Sequence, residues 1–370
     1  MKILLMGEYS NVHATLAEGL RALGHQVTVL SNGDFWKDYP RDIDMVRTYT
    51  KWGGMRYILK LYSILPRLRG YDIVQLINPM FLELKAGRIF PIYRYLRKYN
   101  KCVILGAYGM DWYWVNTCST QMPLRYSDFN IGKELRMNAD AVKERRDWIG
   151  TEKERLNQYI ANDCDGIVAG LYEYWVCYQP VFPHKTTYIP FPIRIEQDVN
   201  NVSNDSKDKI KLFIGINKER SEYKGTDIML AAAEAIAKKH KSRVELIKVE
   251  SVPFQEYKQL MEGSDAILDQ LYSYTPSMNS LLAMSKGIIC IGGGEEENYE
   301  IIKEQSLRPI INVQPFYESV YDALEQLISS PDHIAELKRQ SKEYTLRHHE
   351  YRKVAQEYVN FYRHVLEKNL

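Results

Sequence analysis

The chain has 370 residues, of which 45% are hydrophobic and 26% charged, and its formal net charge is +2. This length favours two domains, and the balanced charge gives no indication of nucleic acid as the main partner. Five cysteines without CxxC spacing indicate neither a disulfide framework nor a zinc site, which favours a reducing, cytoplasmic location.

The first thirty residues predict a strand, a loop, a helix and a second strand. Residues 2–6 form an apolar strand, but Glu8 follows at once, so this run is too short for a secretory signal peptide. Leucines recur at helical spacing within 14–23, Gly24 ends that helix, and 27–30 form the next strand. Such an opening is typical of a parallel, doubly wound sheet.

The same alternation of strands and helices continues through the chain. Further strands are predicted at 73–77, 102–105, 166–169, 211–215, 244–249, 266–268, 288–291 and 309–313. The last helical stretch, 331–367, is too long for one helix in a small domain, so we expect a break near 347–350. No run of about 18 apolar residues occurs, so we expect no membrane span.

We therefore predict an α/β protein with two Rossmann-like domains whose parallel sheets face a cleft. Pro190 and Pro192 mark a crossing between the domains, and the polar segment 199–209 follows as a surface linker or loop. The predicted division is 1–192 for the first domain and 193–349 for the second. A C-terminal helix at about 350–370 is expected to dock back on the first domain.

Two segments of the second half have the form of anion-binding loops. In the first, a strand ends at Gly215 and Gly225 opens a helix. Between them Arg220 and Lys224 are either suited to neutralise a diphosphate or are ordinary solvated charges. In the second, the loop 272–277 precedes a helix whose first N–H groups and positive dipole end favour an anion. Two such elements in one half of the chain indicate a nucleotide-diphosphate ligand.

Several segments, in consistent order, resemble retaining GT-B glycosyltransferases. Residues 215–225 are similar to that family's G-R…K-G loop, and 8–30 to its opening, in which a helix ends in GH-x-V. Residues 104–114 resemble its H-G-x-D segment, and 262–270 its strand before the donor site. The end of the chain resembles the helix that returns to the first domain.

The resemblance implies a GT-B enzyme that moves a sugar from a nucleotide donor, a UDP- or GDP-sugar, to a hydroxyl of a glycan or glycolipid. It further implies retention of anomeric configuration in polysaccharide or glycoconjugate biosynthesis. No catalytic metal is expected, because no clustered His/Asp pattern occurs and the resembling family is generally metal-independent. No cofactor is expected, because the nucleotide sugar is itself a substrate.

Site residues are predicted from the loops and the resemblance together. The donor diphosphate is expected to bind Arg220, Lys224, Ser277, Met278, Asn279 and Ser280. The sugar or nucleotide is expected to contact Asp269, Tyr272, Tyr274 and Glu297. The acceptor side is predicted to be Glu8, Tyr9, Ser10 and Asn11. The catalytic candidates are His13, Tyr108 and Asp111.

The departures from the family pattern keep a second hypothesis open. Tyr274 and Leu282 stand where the family has two glutamates, and Tyr108 stands at its histidine. These residues favour a non-catalytic GT-B protein that binds a glycan or a partner enzyme. A sugar-nucleotide epimerase on the same fold is a third reading, for which the required carboxylates and histidine find no match.

Four further segments either allow two interpretations or carry no assigned chemistry. The acidic run 292–297 either matches the family's Gly-Gly-x-x-Glu turn or is a solvated turn. The basic, aromatic stretches 51–69 and 85–101 are either helices packed on the sheet or helices lying on an anionic membrane, which would suit a lipid-linked acceptor. The charged stretch 134–155 is predicted to be helical, with no assigned chemistry.

Overall fold

The computed structural model describes residues 1–195, 209–217 and 220–368. The described strands are, in chain order, β1 Lys2–Met6, β2 Gln26–Ser31, β3 Ile43–Asp44, β4 Ile73–Leu76, β5 Cys102–Ala107, β6 Asn130–Ile131, β7 Glu134–Leu135, β8 Gly166–Ala169, β9 Thr186–Tyr188, β10 Ile210–Ile216, β11 Val244–Glu250, β12 Ala266–Leu268, β13 Ile289–Gly292 and β14 Ile311–Asn312. The predicted segment 199–209 lies, except for residue 209, outside the described residues.

The helices alternate with the strands, and two short 3₁₀ segments cover Phe35–Lys37 and Leu65–Leu68. The described α-helices are α1 Val12–Ala22, α2 Lys51–Ile64, α3 Ala86–Tyr99, α4 Trp112–Thr120, α5 Ala139–Trp148, α6 Glu152–Asp163, α7 Tyr172–Tyr178, α8 Ser221–Lys224, α9 Thr226–Lys239, α10 Phe254–Met261, α11 Met278–Ser285, α12 Glu296–Ile301, α13 Tyr317–Ser329, α14 Asp332–His348 and α15 Tyr351–Lys368. Among the described residues, no helix is long and apolar enough to cross a membrane.

The chain forms two compact units. Unit 1 consists of residues 1–123, 143–192 and 351–370, and unit 2 of residues 124–142 and 193–350. Each unit is built on its own parallel sheet, so the predicted pair of Rossmann-like domains is confirmed.

Unit 1 contains a seven-stranded parallel sheet in the order β3-β2-β1-β4-β5-β8-β9. Every residue of β4 and β5 is buried, as expected where helices cover both faces of a parallel sheet. The last helix, α15, packs on α1, where a Cβ at Gly19 would lie 2.5 Å from the Tyr351 carbonyl oxygen. The glycine therefore permits this close approach of the two helices.

Unit 2 contains a five-stranded parallel sheet in the order β11-β10-β12-β13-β14. Helix α9 covers one face with alanines and larger aliphatic side chains that are fully buried, among them Met229 and Ile236. Strands β10, β12 and β13 lie in the middle of this sheet, so the loops at their carboxyl ends meet at one edge. Ligands bind at this edge in such sheets.

The structure differs from the predicted domain division at residues 124–142, which belong to unit 2 rather than to the first domain. Here Glu134–Leu135 is a strand, so the prediction of a helix from residue 134 was wrong at its start. The physical reason is a set of polar contacts. For example, the Arg136 guanidinium donates to the carbonyl oxygens of Glu222 (2.8 Å) and Tyr223 (3.2 Å).

The expected break in the last helical stretch lies between His348, where α14 ends, and Tyr351, where α15 begins. Arg347 and His348, the last two residues of α14, bind the buried carboxylate of Glu304. This carboxylate accepts hydrogen bonds from His348 Nε2 (2.6 Å) and Arg347 Nη1 (2.9 Å). It also accepts from the backbone N–H groups of Ser306 and Leu307. Burial alone would raise the pKa of Glu304, but these hydrogen bonds outweigh it and hold the pKa well below its ordinary value.

We expect Glu304→Gln to lower the free energy of unfolding of unit 2 by about 1–3 kcal/mol at pH 7, because a neutral side chain loses the charge-assisted bonds. Since the folded-state pKa is depressed, this stabilisation is present above the unfolded pKa of about 4.5 and is lost as the pH falls below it. Urea unfolding followed by far-UV circular dichroism between pH 3 and 7 measures the difference.

The matched control is Glu343→Gln, which removes a half-exposed carboxylate that also pairs with Arg347. Exposed pairs contribute about 1 kcal/mol or less, so this variant should stay close to the wild type. A Glu304→Gln effect that is equally small, or that is the same at pH 3 and pH 7, contradicts the prediction.

Candidate functional site

The predicted diphosphate loop follows β10 and lies against the loop that follows β12. The backbone N–H of Leu271 donates to the carbonyl oxygen of Lys224 (3.0 Å). Gly225 has a φ of 75°, and a Cβ there would lie 2.6 Å from the Cβ of Leu271, so this position requires glycine. Arg220 is exposed at the start of α8, with its guanidinium over the ring of Tyr223. The structure thus joins the two loops that the sequence picked out separately.

Asp269, at the end of β12, holds the first turn of α11. One carboxylate oxygen accepts from the hydroxyls of Ser277 (2.7 Å) and Ser280 (2.5 Å), and the other accepts from the Asn279 amide (3.0 Å). Asp269 is buried. Its direct contact with a sugar or nucleotide stays a prediction, because in this geometry the carboxylate positions three other predicted site residues.

The N-terminus of α11 is suited to an anion. Ser277 precedes the helix but makes no side-chain capping hydrogen bond, since its hydroxyl donates a hydrogen bond to Asp269. The first N–H groups of a helix, here those of Met278, Asn279 and Ser280, have no partner within the helix and carry its positive dipole end. Backbone N–H groups in this arrangement bind phosphate oxygens.

Tyr272 is held by an arginine from the segment 124–142. The guanidinium of Arg136 lies 3.5 Å from the centre of the Tyr272 ring and is almost fully buried. It also donates to the carbonyl oxygens of Ser127, Glu222 and Tyr223. Arg136 therefore fixes both Tyr272, the predicted stacking residue, and the short helix α8, which ends at Lys224. Sequence reasoning missed it, because it lies in the stretch that was given no chemistry.

Tyr274 is buried rather than open for stacking on a sugar. Its hydroxyl oxygen accepts from the Arg125 backbone N–H (2.7 Å), and the Arg125 guanidinium lies 5.0 Å from its ring centre. The ring of Tyr126 packs beside it at 5.0 Å. Burial raises the pKa of Tyr274 to about 12, so the hydroxyl is neutral at physiological pH. Direct contact of Tyr274 with a ligand stays a prediction.

Glu297 forms a two-pronged ion pair with Arg125, through oxygen–nitrogen distances of 2.6 and 3.0 Å. The neighbouring Glu295 also binds Arg125 (2.7 Å) and accepts from Tyr126 and Gln314. Burial acts to raise the pKa of Glu295, but these bonds keep it below its ordinary value. Glu295 and Glu297 are thus packed and charge-paired, whereas Glu296 between them is exposed.

Two of the three glycines before these glutamates are explained by close approach of the backbone. A Cβ at Gly292 would lie 2.8 Å from the Gln270 carbonyl oxygen, and one at Gly293 would lie 2.3 Å from that of Ser273. The β13 turn therefore packs directly on the loop after β12, which carries Asp269 and Tyr272. The loop after β12 therefore contacts both the basic loop, through Leu271, and the β13 turn.

In unit 1, Glu8 and His13 are both buried. The Glu8 carboxylate accepts from the backbone N–H groups of His13 (3.2 Å) and Ala14 (2.8 Å), and burial raises its pKa to about 8. His13 Nδ1 donates to the Gly7 carbonyl oxygen (2.8 Å), and Gln75 donates to Nε2 (3.2 Å). Burial lowers the pKa of His13 to about 3, so the ring is neutral. The catalytic role of His13 stays a prediction.

The other acceptor-side residues form the turn between β1 and α1. Ser10 and Asn11 have positive φ values of 52° and 73° and are half-buried, and the Ser10 N–H donates to Asp34 (2.9 Å). Tyr9 packs against Gly109. A small cavity beside the turn is lined by Glu8, Tyr9, Phe35, Tyr57 and Glu83, among others. The turn therefore borders an opening in unit 1.

Tyr108 and Asp111 are also buried in unit 1. The Tyr108 hydroxyl is hydrogen-bonded to that of Tyr358 (2.5 Å). Asp111 caps α4 by accepting from the Trp114 N–H (2.9 Å), and it accepts from the Tyr178 hydroxyl (2.7 Å). Burial raises the pKa of Asp111 to about 7. These contacts are structural, and catalytic roles for both residues stay predictions. Within the described ranges, no cluster of His, Cys, Asp or Glu is arranged to hold a metal ion.

Comparison with known proteins gives structural relatives only. No protein-family model matches the chain, and no curated protein sequence does. A sucrose-phosphate synthase from Thermosynechococcus elongatus superposes with a TM-score of 0.62 at 12% identity, covering 100% of both chains. Anabaena HepE in complex with UDP and glucose gives 0.58 at 12%, covering 97% of this chain and 98% of HepE. The catalytic domain of starch synthase IV from Arabidopsis thaliana, bound to ADP and acarbose, gives 0.58 at 11%, covering 99% of each.

These three proteins are similar to the chain over almost its whole length, and all are GT-B glycosyltransferases. At 11–12% identity the likeness shows the fold. The GT-B fold predicted from the sequence is thus confirmed: this chain is a GT-B-fold protein.

Proposed function

We propose that this protein is a glycosyltransferase that moves a sugar from a nucleotide-diphosphate donor to a hydroxyl of a glycan or glycolipid. The observation that carries the proposal is in unit 2, where the Leu271–Lys224 hydrogen bond joins the basic loop to the loop leading into α11. Lys224 and the open N-terminus of α11 then serve one anion. A diphosphate is the ligand that this pair of elements fits best.

In the proposed reaction the leaving group is a nucleoside diphosphate, on which negative charge develops as the bond to the sugar breaks. Lys224 and Arg220 neutralise that charge, and the N–H groups of Met278, Asn279 and Ser280 donate to the phosphate oxygens. The residues are held in advance by Asp269 and Arg136, so little reorganisation is needed at the moment of transfer. Retention of configuration, without metal or other cofactor, is part of the proposal.

The ligands of the structural relatives support this donor class. HepE is seen with UDP and glucose, and starch synthase IV with ADP and acarbose, so the same fold holds a nucleoside diphosphate and a sugar. We propose a UDP- or GDP-sugar for this chain. We place the activity in the cytoplasm, in keeping with five cysteines that are all buried and form no disulfide.

A second candidate, a non-catalytic protein that binds a glycan or a partner enzyme, is favoured by two positions. Tyr274 is buried under Arg125, and Leu282 packs partly against the core of unit 2. Both stand where the resembling family has the glutamates that contact sugar and ribose. The two candidate functions differ in whether Lys224 binds a nucleotide.

We expect one class of nucleotide sugar to raise the melting temperature of the protein and Lys224→Ala to weaken its binding about 10- to 100-fold. A ligand that binds only the folded state stabilises it by about 2.7 kcal/mol at a hundredfold excess over Kd. Loss of a charge-assisted hydrogen bond costs roughly 1.5–3 kcal/mol, which gives that range. Thermal-shift titration with UDP-, GDP- and dTDP-sugars and the free nucleotides measures both.

The matched control is Lys241→Ala, which removes an exposed lysine of unit 2 just beyond the C-terminal end of α9. It should leave every titration unchanged. A shift that Lys224→Ala abolishes and Lys241→Ala does not supports the donor site. No shift with any nucleotide, from a protein that unfolds cooperatively, contradicts the proposed transferase and favours the non-catalytic candidate.

A further inference from the structure

Helix α2 of unit 1 has an apolar face that the fold leaves exposed. Trp52, Met55, Leu59 and Tyr62, which we call the α2 stripe, have exposed fractions of 71, 47, 63 and 57%. They follow one another by three, four and three residues, so they line one side of the helix. The opposite side, with Tyr57, Leu61 and Ile64, is buried in unit 1. The helix is therefore apolar on both sides, and only one of them is covered.

The segment around the α2 stripe is strongly basic. Between Asp44 and Asp72 there is no acidic residue. The same segment contains six cations: Arg47, Lys51, Arg56, Lys60, Arg67 and Arg69. Since the whole chain has a net charge of only +2, the rest of it is net negative. Lys51, Arg56, Lys60 and Arg67 are exposed on and next to the helix.

The other basic stretch, at α3, is different. Its apolar residues, such as Ile89, Ile92 and Leu96, are buried. Its exposed side consists of Gly87, Pro91 and cations. For α3 the ordinary interpretation, a helix packed on the sheet, holds. The structure thus separates two segments that the sequence could not distinguish.

We propose that the α2 stripe lies on the surface of a bilayer that contains anionic phospholipid. An interfacial helix buries an apolar face rich in Trp and Leu at the headgroup boundary, while flanking Lys and Arg attract anionic lipid. Trp and Tyr are the side chains that favour this boundary, because their rings are apolar and their tips polar. The α2 segment supplies both features, and its charge complements the bilayer rather than a basic or neutral partner.

Bilayer binding also bears on the cavity beside Glu8. Tyr57, on the inner side of α2, lines that cavity, so a bilayer at the outer side would lie one helix away from it. A lipid-linked acceptor then becomes the expected substrate class, and this last step rests on the proposed glycosyl transfer. Binding of the bilayer itself does not.

The test is co-sedimentation of the full chain with vesicles of phosphatidylcholine alone or with 30% phosphatidylglycerol, at low and at high salt. No nucleotide is present, so the result is independent of the donor titration. We expect binding to the anionic vesicles only, reduced by salt. The variant Trp52→Ser/Leu59→Ser and the variant Lys51→Glu/Arg56→Glu should each bind about tenfold more weakly or worse.

The matched control is Phe316→Ser/Leu346→Ser, which removes two side chains of unit 2 that are 50 and 51% exposed. It should bind like the wild type, and circular dichroism verifies that all variants are folded. Absence of binding to anionic vesicles, or binding that the two α2 variants leave unchanged, overturns the proposal. The proposal is also overturned if the wild type is a dimer that binds no vesicles and that both α2 variants convert to a monomer. The α2 stripe would then be covered by a second copy of the chain.

Discussion

Replacing Arg136 by alanine is expected to lower the free energy of unfolding of unit 2 by about 3 kcal/mol or more. The buried guanidinium satisfies the carbonyl oxygens of Ser127, Glu222 and Tyr223, and it lies on the ring of Tyr272. Two of these carbonyls belong to α8, which is too short to satisfy its own groups. Alanine removes the donor to both carbonyls, of which the Tyr223 one is buried, and also removes a cation–π contact of roughly 1–2 kcal/mol.

The distribution of tryptophan makes this prediction measurable unit by unit. All six tryptophans, at positions 36, 52, 112, 114, 148 and 175, lie in unit 1. Tryptophan fluorescence therefore follows unit 1, whereas far-UV circular dichroism follows both units. With Arg136→Ala, urea unfolding seen by circular dichroism should move to lower urea, and the fluorescence transition should move less.

Arg136→Lys is the matched control, because it keeps the charge and loses the planar fork that reaches several carbonyls at once. We expect it to fall between alanine and the wild type. A loss below about 1 kcal/mol for Arg136→Ala would place Arg136 among ordinary surface residues. The role that we assign to Arg136, holding α8 and Tyr272 in place, would then be wrong.

The elements that local periodicity specifies were predictable from the sequence. The β1–α1–β2 opening, the glycine that ends α11 at position 287 and the break before Tyr351 follow from spacing and helix-ending residues within a few positions. Parallel strands buried on both faces read as apolar runs, so the two sheets were predictable as well.

The pairing of distant polar groups was not predictable. Arg136 reaches carbonyls 86 and 87 residues away, and Arg125 reaches carboxylates 170 and 172 residues away. Periodicity does not predict such contacts, because each is made by a single residue at either end. For the same reason Asp269 and Glu297 were predicted as ligand contacts, although their carboxylates are engaged by other side chains.

Burial also decides between interpretations that one sequence pattern leaves open. The stretches at α2 and α3 have similar composition, yet α2 has an exposed apolar face besides its buried one, whereas the apolar residues of α3 are buried. Tyr274 has the aromatic character expected of a stacking residue, but the ring of Tyr126 and the guanidinium of Arg125 cover it. Side-chain exposure depends on packing between segments, which composition does not encode.

Replacing Asp269 by alanine is expected to weaken binding of the nucleotide sugar about a hundredfold and to lower the free energy of unfolding of unit 2 by roughly 2–4 kcal/mol. The carboxylate orients Ser277, Asn279 and Ser280 in the first turn of α11. Without it, three donors lose a buried partner, and the Ser277 hydroxyl becomes available to cap the helix. A capped N-terminus competes with the phosphate for the same N–H groups.

Asp269→Asn separates the two effects. Asparagine keeps the shape and one acceptor oxygen, so stability should largely recover, whereas the first turn of α11 is held by fewer bonds and affinity should recover only in part. Thermal-shift titration measures the affinity, and urea unfolding by circular dichroism measures the stability. If Asp269→Ala binds nucleotide sugar as tightly as the wild type while Lys224→Ala does not, the diphosphate is held by the basic loop alone, and the N-terminus of α11 is not part of the site.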